Sequence, residues 1–504
     1  MYTPPSSSWL AISTLLLHPA YAFYPYSPSS ANSAAPPSSR SLGAASSSPL
    51  TSNTRSLTLP IRRVPTRRQN AYNIVNSRDP TQPNSVAIDQ DGSDISYMVA
   101  VSFGDSKEEY HMLLDSAASN TWVMSQDCTT EACKTHTLFG KGDSSSLKTS
   151  TEPFNVTYGT GSSSGTLATD TIHLGPLSPT LTFGLANNVS PEFSSYPMDG
   201  ILGLGRGTSS SSASTQSSDT PQIMDILTSS SLITSKIYGL HLPRASSSSP
   251  LDGELNLGSL NTARFSGQIN YTPCVVPSST ATTGFWEIPL SAAAVDGSTI
   301  SLSSTTPRTA IIDTGTSFIL VPPTDALALH QKIKGYSQNG ESFFVPCDTS
   351  AIMQFSFSNT MYNISTADWV GKKVDKEDNV CVSNIVGRRT FGEAQWLVGD
   401  VFLKNVYSVF DFEGGRVGFG VKVEGVDGVV GTTSSSEGGE GGKGNATVTS
   451  ASSSATGTMA PRSSATSAAS AQDQKGSGAV GLYDDAPLLL LAMGAMGASL
   501  LALM

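Results

Sequence analysis

The chain has 504 residues, a net charge of −11 and a pI near 5.0. It is long enough for two lobes with separate cores. Its acidity argues against nucleic acid as a partner and suits a secreted protein in mildly acidic surroundings.

Residues 1–22 read as a signal peptide. Trp9–Leu17 is an apolar core too short to span a bilayer, and Ala20-Tyr21-Ala22 offers a small-x-small cleavage site. Residues 23–68 are Ser- and Pro-rich and turn basic, with pairs at Arg62-Arg63 and Arg67-Arg68. A basic segment before an acidic domain reads as a propeptide, held by charge over an acidic cleft until it is cut away.

Residues 69–427 read as all-β. Runs such as "FNVTYG", "KIYGLHL", "GELNLGSL" and "GRVGFGVKV" alternate apolar with polar or Gly, and turn signals are dense. "PQIMDILTSS" and "PTDALALHQKI" are the expected helices, each opened by Pro. Ser/Thr patches near 208–219 and 245–250 read as surface loops. Five cysteines fit an oxidising compartment. Cys128 and Cys133 enclose a short loop, Cys347 and Cys381 could close a longer one, and Cys274 is left over; the pairing stays open at this point. Asn155, Asn188, Asn270, Asn363 and Asn445 head Asn-x-Ser/Thr triplets, the acceptor pattern for N-glycosylation.

Residues 428–478 are Gly-, Ser-, Thr- and Ala-rich and read as a flexible stalk. Residues 479–504 end in "LLLLAMGAMGASLLALM" with no charge behind it. With Gly476 and Ser477 as small residues ahead of a short spacer, this is the layout of a glycosylphosphatidylinositol signal. The expected location is the cell surface, attached to membrane or wall through the lipid.

Two stretches repeat. "MLLDSAASNTWV" (112–123) and "AIIDTGTSFILV" (310–321) each carry Asp after two aliphatic residues and before a hydroxyl residue, with Ser119 and Ser317 four positions on. Later, "DGILGLG" and "WLVGDVF" share an aliphatic-aliphatic-Gly core. Asp115 to Gly203 is 88 residues (203 − 115) and Asp313 to Gly399 is 86 (399 − 313). Two motifs in the same order at nearly equal spacing imply two similar β lobes, each supplying one Asp loop. Paired carboxylates can hydrolyse an amide without a metal: close like charges share one proton, so one group can act as acid while the other acts as base. No metal site or cofactor is expected, because neither an HExxH nor a GxSxG in a strand–turn–helix setting is present.

These motifs resemble the pepsin-like aspartic endopeptidases, and more narrowly the fungal surface members with a lipid-anchor signal. The resemblance covers roughly 96–423. "DTGTSFILVPP" is similar to the family's second catalytic loop, "DSAASNTWV" to its first, and "FNVTYGTGSSSGTLATDTI" to its flap hairpin. It implies a bilobal fold, N-lobe about 69–265 and C-lobe about 266–427, with a cleft between them. It implies Asp115 and Asp313 as the catalytic pair and Ser116 and Thr314 as hydroxyls bracing the two loops. Thr316 would hydrogen-bond Asp313, Tyr158 would close over substrate, and Trp122 would pack beneath it. Gly159, Thr160 and Gly315 would line the substrate. Substrates would be extended peptides or proteins, and the protein is expected to be a monomer. The first loop departs from the family's Asp-Thr-Gly-Ser-Ser: Ala117 stands for Gly and Ala118 for a hydroxyl residue. Losing that hydroxyl predicts a raised carboxyl pKa and a shifted pH profile. It also motivates the alternative of a catalytically weak or inactive peptide-binding wall protein on the same fold.

Overall fold

In this computed structural model the described residues are 70–423, apart from Thr160, 208–220, 246–250, 276–283, 303–305 and Lys376. The expected signal peptide, propeptide, stalk and anchor signal, and with them Asn445, Gly476 and Ser477, lie outside the described residues. So do both Ser/Thr patches, save Ala245.

Val-, Ile- and aromatic-rich runs make this fold mostly β-sheet. One eight-stranded sheet belongs to the first half of the domain and runs from Asp89–Gln90 to Lys148–Tyr158 at its edge. The second half holds a five-stranded sheet and two four-stranded ones. A six-stranded sheet joins the halves. Ser85–Ala87, Ile237–His241 and Glu254–Leu257 meet Phe265–Pro273, Val406–Asp411 and Arg416–Lys422 in it. The two expected helices form as Ile223–Ser229 and Pro323–His330. Cys128–Cys133 and Cys347–Cys381 are disulfides, and Cys274 is a buried thiol.

The repeat read from the sequence is a repeat of sheet geometry. In the N-lobe, Met112–Asp115 pairs in parallel with Gly200–Gly203, and Trp122–Val123 runs antiparallel to Gly200 and Ile201. In the C-lobe, Thr309–Ile312 pairs in parallel with Gln395–Val398, and Ile319–Leu320 runs antiparallel to Leu397 and Val398. The repeated glycines exist for space. A Cβ on Gly203 would lie 2.7 Å from the Asn120 carbonyl oxygen, and one on Gly399 would lie 1.8 Å from that of Thr316. The loop after each Asp therefore packs directly onto backbone.

Beneath the cleft an N-lobe turn docks on the C-lobe. Ser317 Oγ donates to the Ile95 carbonyl at 2.5 Å, and Lys404 Nζ donates to that of Asp94 at 3.3 Å. Lys404 and Arg244 both pair with the buried Asp368. Nearby, Asp400 is buried, and its Oδ1 has no partner among the described residues. Burial pushes the Asp400 carboxyl well up, against the pull of Lys404, and burial raises Asp91 as well. Conversely, Arg264 holds Glu254 below its usual range despite burial, and Arg244 and Lys404 do the same for Asp368.

The pH dependence of stability follows with its sign. A carboxyl raised in the fold contributes stability that is complete below its unfolded pKa and lost as pH rises through the folded value. A carboxyl lowered in the fold contributes stability lost as pH falls through its folded value. Thermal unfolding scans between pH 3 and 8 should therefore show maximal stability in mild acid. Asp400→Asn should flatten the decline toward pH 8 and leave the acid side unchanged; an unaltered decline would remove Asp400 as its source.

Candidate active site

Asp115 ends its strand and Asp313 directly follows Ile312, the end of the matching strand, so each carboxyl stands at the tip of a rigid element. Both are nearly sealed from solvent, 3% and 4% exposed. The structure brings the two loops together through reciprocal bonds. Ser116 Oγ donates to the Ile312 carbonyl (2.9 Å) and accepts from Thr314 N (3.0 Å); Thr314 Oγ1 donates to the Leu114 carbonyl (2.8 Å) and accepts from Ser116 N (3.0 Å). Both hydroxyl residues are fully buried. Gly315 lies against the other lobe's acid: a Cβ there would sit 2.7 Å from Asp115 Cγ.

The two carboxyls are held differently. Asp313 Oδ1 accepts from Gly315 N at 2.8 Å, and its Oδ2 accepts from Thr316 Oγ1 at 2.6 Å. Among the described residues, Asp115 receives only backbone donors, Ala117 N and Ala118 N, both at 2.8 Å and both on Oδ1. Ala118 has no hydroxyl to give. Ala117 takes no positive φ, so its methyl adds no backbone strain. Burial raises both carboxyl pKa values, and the Asp313 charge raises Asp115 further. Thr316 is the largest restraint on Asp313. Two like charges this close do not both ionise, so the pair shares one proton.

Tyr158 ends the strand Lys148–Tyr158, whose hairpin partner Gly161–His173 begins three residues later. Gly159 is exposed at the tip, and Thr160 lies outside the described residues. Trp122 Nε1 donates to the Tyr158 hydroxyl at 2.7 Å. Phe193 completes this aromatic group, with ring centroids 5.6 Å from Trp122 and 6.1 Å from Tyr158. The sequence does not mark Phe193: it sits in a short 3-10 turn, Pro191–Ser195, with no strand or helix period around it. Next to the second Asp loop, a cavity of about 330 Å³ is walled by both lobes, by Ile95 on one side and by Ser317, Phe318, Val386 and Val401 on the other. Among the described residues no cluster of His, Cys, Asp and Glu is arranged to hold a metal.

Known proteins resemble this chain over most of the described residues. The family described as eukaryotic aspartyl protease matches residues 96–422. The chain is 43% identical over 370 residues to the aspartic-type endopeptidase ctsD of Aspergillus fumigatus, covering 73% of this chain and 74% of that one. It is 32% identical over 360 residues to major aspartyl peptidase 1 of Cryptococcus neoformans, covering 68% and 71%. It is 31% identical over 333 residues to pepsin A of Sus scrofa, covering 64% and 81%.

Proposed function

The chain belongs to the eukaryotic aspartyl protease family and is an aspartic-type endopeptidase; on that premise we propose that Asp115 and Asp313 are its catalytic pair and that it acts at the cell surface. The observation that supports this reading most directly is the meeting of the two carboxyl-bearing loops, braced through Ser116 and Thr314. A water molecule lying between the carboxyls gives its proton to the ionised member of the pair as its oxygen attacks the scissile carbonyl carbon. The protonated member gives its proton to the carbonyl oxygen, and a tetrahedral diol forms. The carboxyl that took the water's proton returns it to the amide nitrogen, the C–N bond breaks, and one diol hydroxyl restores the proton on the other carboxyl. Gly315 and the flap residues Gly159 and Thr160 contact the extended substrate, and Tyr158 closes over it to exclude water.

The secretion leader at 1–22, the propeptide at 23–68, the stalk at 428–478 and an anchor signal at 479–504, with lipid attached at Gly476 or Ser477, support surface action. The processed enzyme should cut a mixed peptide library between pH 3 and 7. A folded, propeptide-free sample that cuts nothing would instead favour the peptide-binding wall protein.

The lost hydroxyl at Ala118 has its own consequence. With no side-chain donor to the ionised form of Asp115, the pair keeps its shared proton to higher pH, which extends the singly protonated, active state toward neutrality. Ala118→Ser supplies a donor to the ionised form. One such bond, near 1 kcal/mol, should move the alkaline limb of kcat/KM about 0.7 pH unit toward acid. A pH–rate profile measures this directly; an unmoved limb would mean that the hydroxyl does not govern the pair.

A further inference from the structure

Two of the five Asn-x-Ser/Thr triplets fall on the flap sheet, and strand register places them side by side. Asn155 lies opposite Ser164 across the hairpin, and Ser164 lies opposite Asn188 on the next strand. Residues directly opposed in antiparallel strands share a face. Adjacent strands are about 4.8 Å apart, so the two asparagines stand roughly 10 Å from one another.

That face is the outer one. Side chains alternate along a strand. Phe154 and Val156, on either side of Asn155, are buried, and Tyr158 falls in step with them toward Trp122. Asn155, Thr157 and Asn188 are exposed. The remaining described triplets differ. Asn270 is half-buried, and its side-chain nitrogen donates to the Phe357 carbonyl at 3.1 Å, so the folded sheet leaves little room for a sugar there. Asn363 is exposed on a C-lobe sheet that does not include the flap.

We propose that Asn155 and Asn188 form a paired N-glycan site on the outer face of the flap, and that the sugars screen the cleft from folded proteins while admitting extended peptides. This rests on the secretion and protease readings above. The donor is an oligosaccharide on a lipid pyrophosphate. Its anomeric C–O bond breaks, a C–N bond forms at the Asn amide, and the displaced proton leaves with the lipid pyrophosphate. The transfer occurs on the entering, unfolded chain, so the later bonds between Ser190 and Ser162 do not oppose it. Sugars carried opposite Tyr158 do not fill the cleft, but they enlarge the flap where a bulky substrate must approach. They also cover an edge. Lys148–Tyr158 is the last strand of its sheet, and an unprotected edge invites pairing with another chain. Pro153 and the exposed Lys148 and Glu152 already blunt it, and Asn155 continues that protection to the flap tip.

The test uses the full chain secreted from a eukaryotic host under its own leader. Enzymatic sugar removal in heavy-oxygen water marks each occupied Asn for peptide mass mapping. Wild type, Asn155→Gln, Asn188→Gln and the double variant are then assayed on a short peptide and on a folded protein. Both sites should be occupied. The double variant should cut the folded protein about fivefold faster, an on-rate effect of a freer approach, with the peptide unchanged. Unmodified asparagines in secreted protein, or equal gains on both substrates, would overturn the proposal. If the double variant fails to fold, deglycosylating native wild type gives the same comparison. Occupied sites on a protein that cuts neither substrate would instead sink the protease reading, and a chain retained unmodified in the cytosol would sink the secretion reading along with this one.

Discussion

Asp313→Ala should lower kcat/KM by at least about 10³-fold, the upper range for a positioned acid or base. The change removes one of the two carboxyls between which the attacking water is activated. It also leaves the Thr316 hydroxyl and Gly315 N–H without their acceptor, a buried loss of roughly 1–3 kcal/mol. The brace between the lobes uses Ser116, Thr314 and the carbonyls of Leu114 and Ile312, not Asp313, so the fold should survive. Asp313→Asn separates the two effects. It keeps the shape and an acceptor for Thr316 but does not take up a proton. Equal inactivation by both variants, with unfolding temperature restored in the Asn variant, is the expected pattern. Retention of activity in the Asn variant would displace Asp313 from the reaction.

Gly315→Ala should silence the enzyme through position rather than chemistry. Gly315 takes no positive φ, so the backbone admits any residue; what forbids one is Asp115, whose carboxyl carbon would lie 2.7 Å from the new methyl. The carboxyl must move, and a displacement near 1 Å costs on the order of 10²-fold in rate. Stability should fall much less than activity. Ala117, at the matching position of the first loop, is the contrast. It already carries a methyl and is half-exposed, so Gly at that position should be nearly neutral for the fold. Activity of the Gly315 variant within tenfold of wild type would show that the pair tolerates displacement.

Much of this was legible because it is local. Asp115 and Asp313 stand in short motifs with fixed offsets, and the spacing to Gly203 and Gly399 repeats almost to the residue. The physical reason for those glycines, a carbonyl oxygen packed against each α-carbon, belongs to segments far apart in the chain and leaves no local pattern. The same holds for Phe193 and for the Asp91–Asp94 turn with Lys404 and Asp400, whose partners lie far along the chain. The departure at Ala118 was visible as a missing hydroxyl. That both remaining donors fall on one oxygen of Asp115 needed coordinates.

The reciprocal bonds of Ser116 and Thr314 have a mechanical consequence. They tie the lobes directly at the carboxyls, beside the six-stranded sheet that also joins the halves, so this point serves as an axle for relative lobe motion. The rims of the cleft can spread to admit and release peptide while the acids keep their separation. The same tie makes competence indivisible: a fragment holding one lobe keeps its Asp but loses half of what aims it. Two separately produced halves should regain function only by reassembling on this axle.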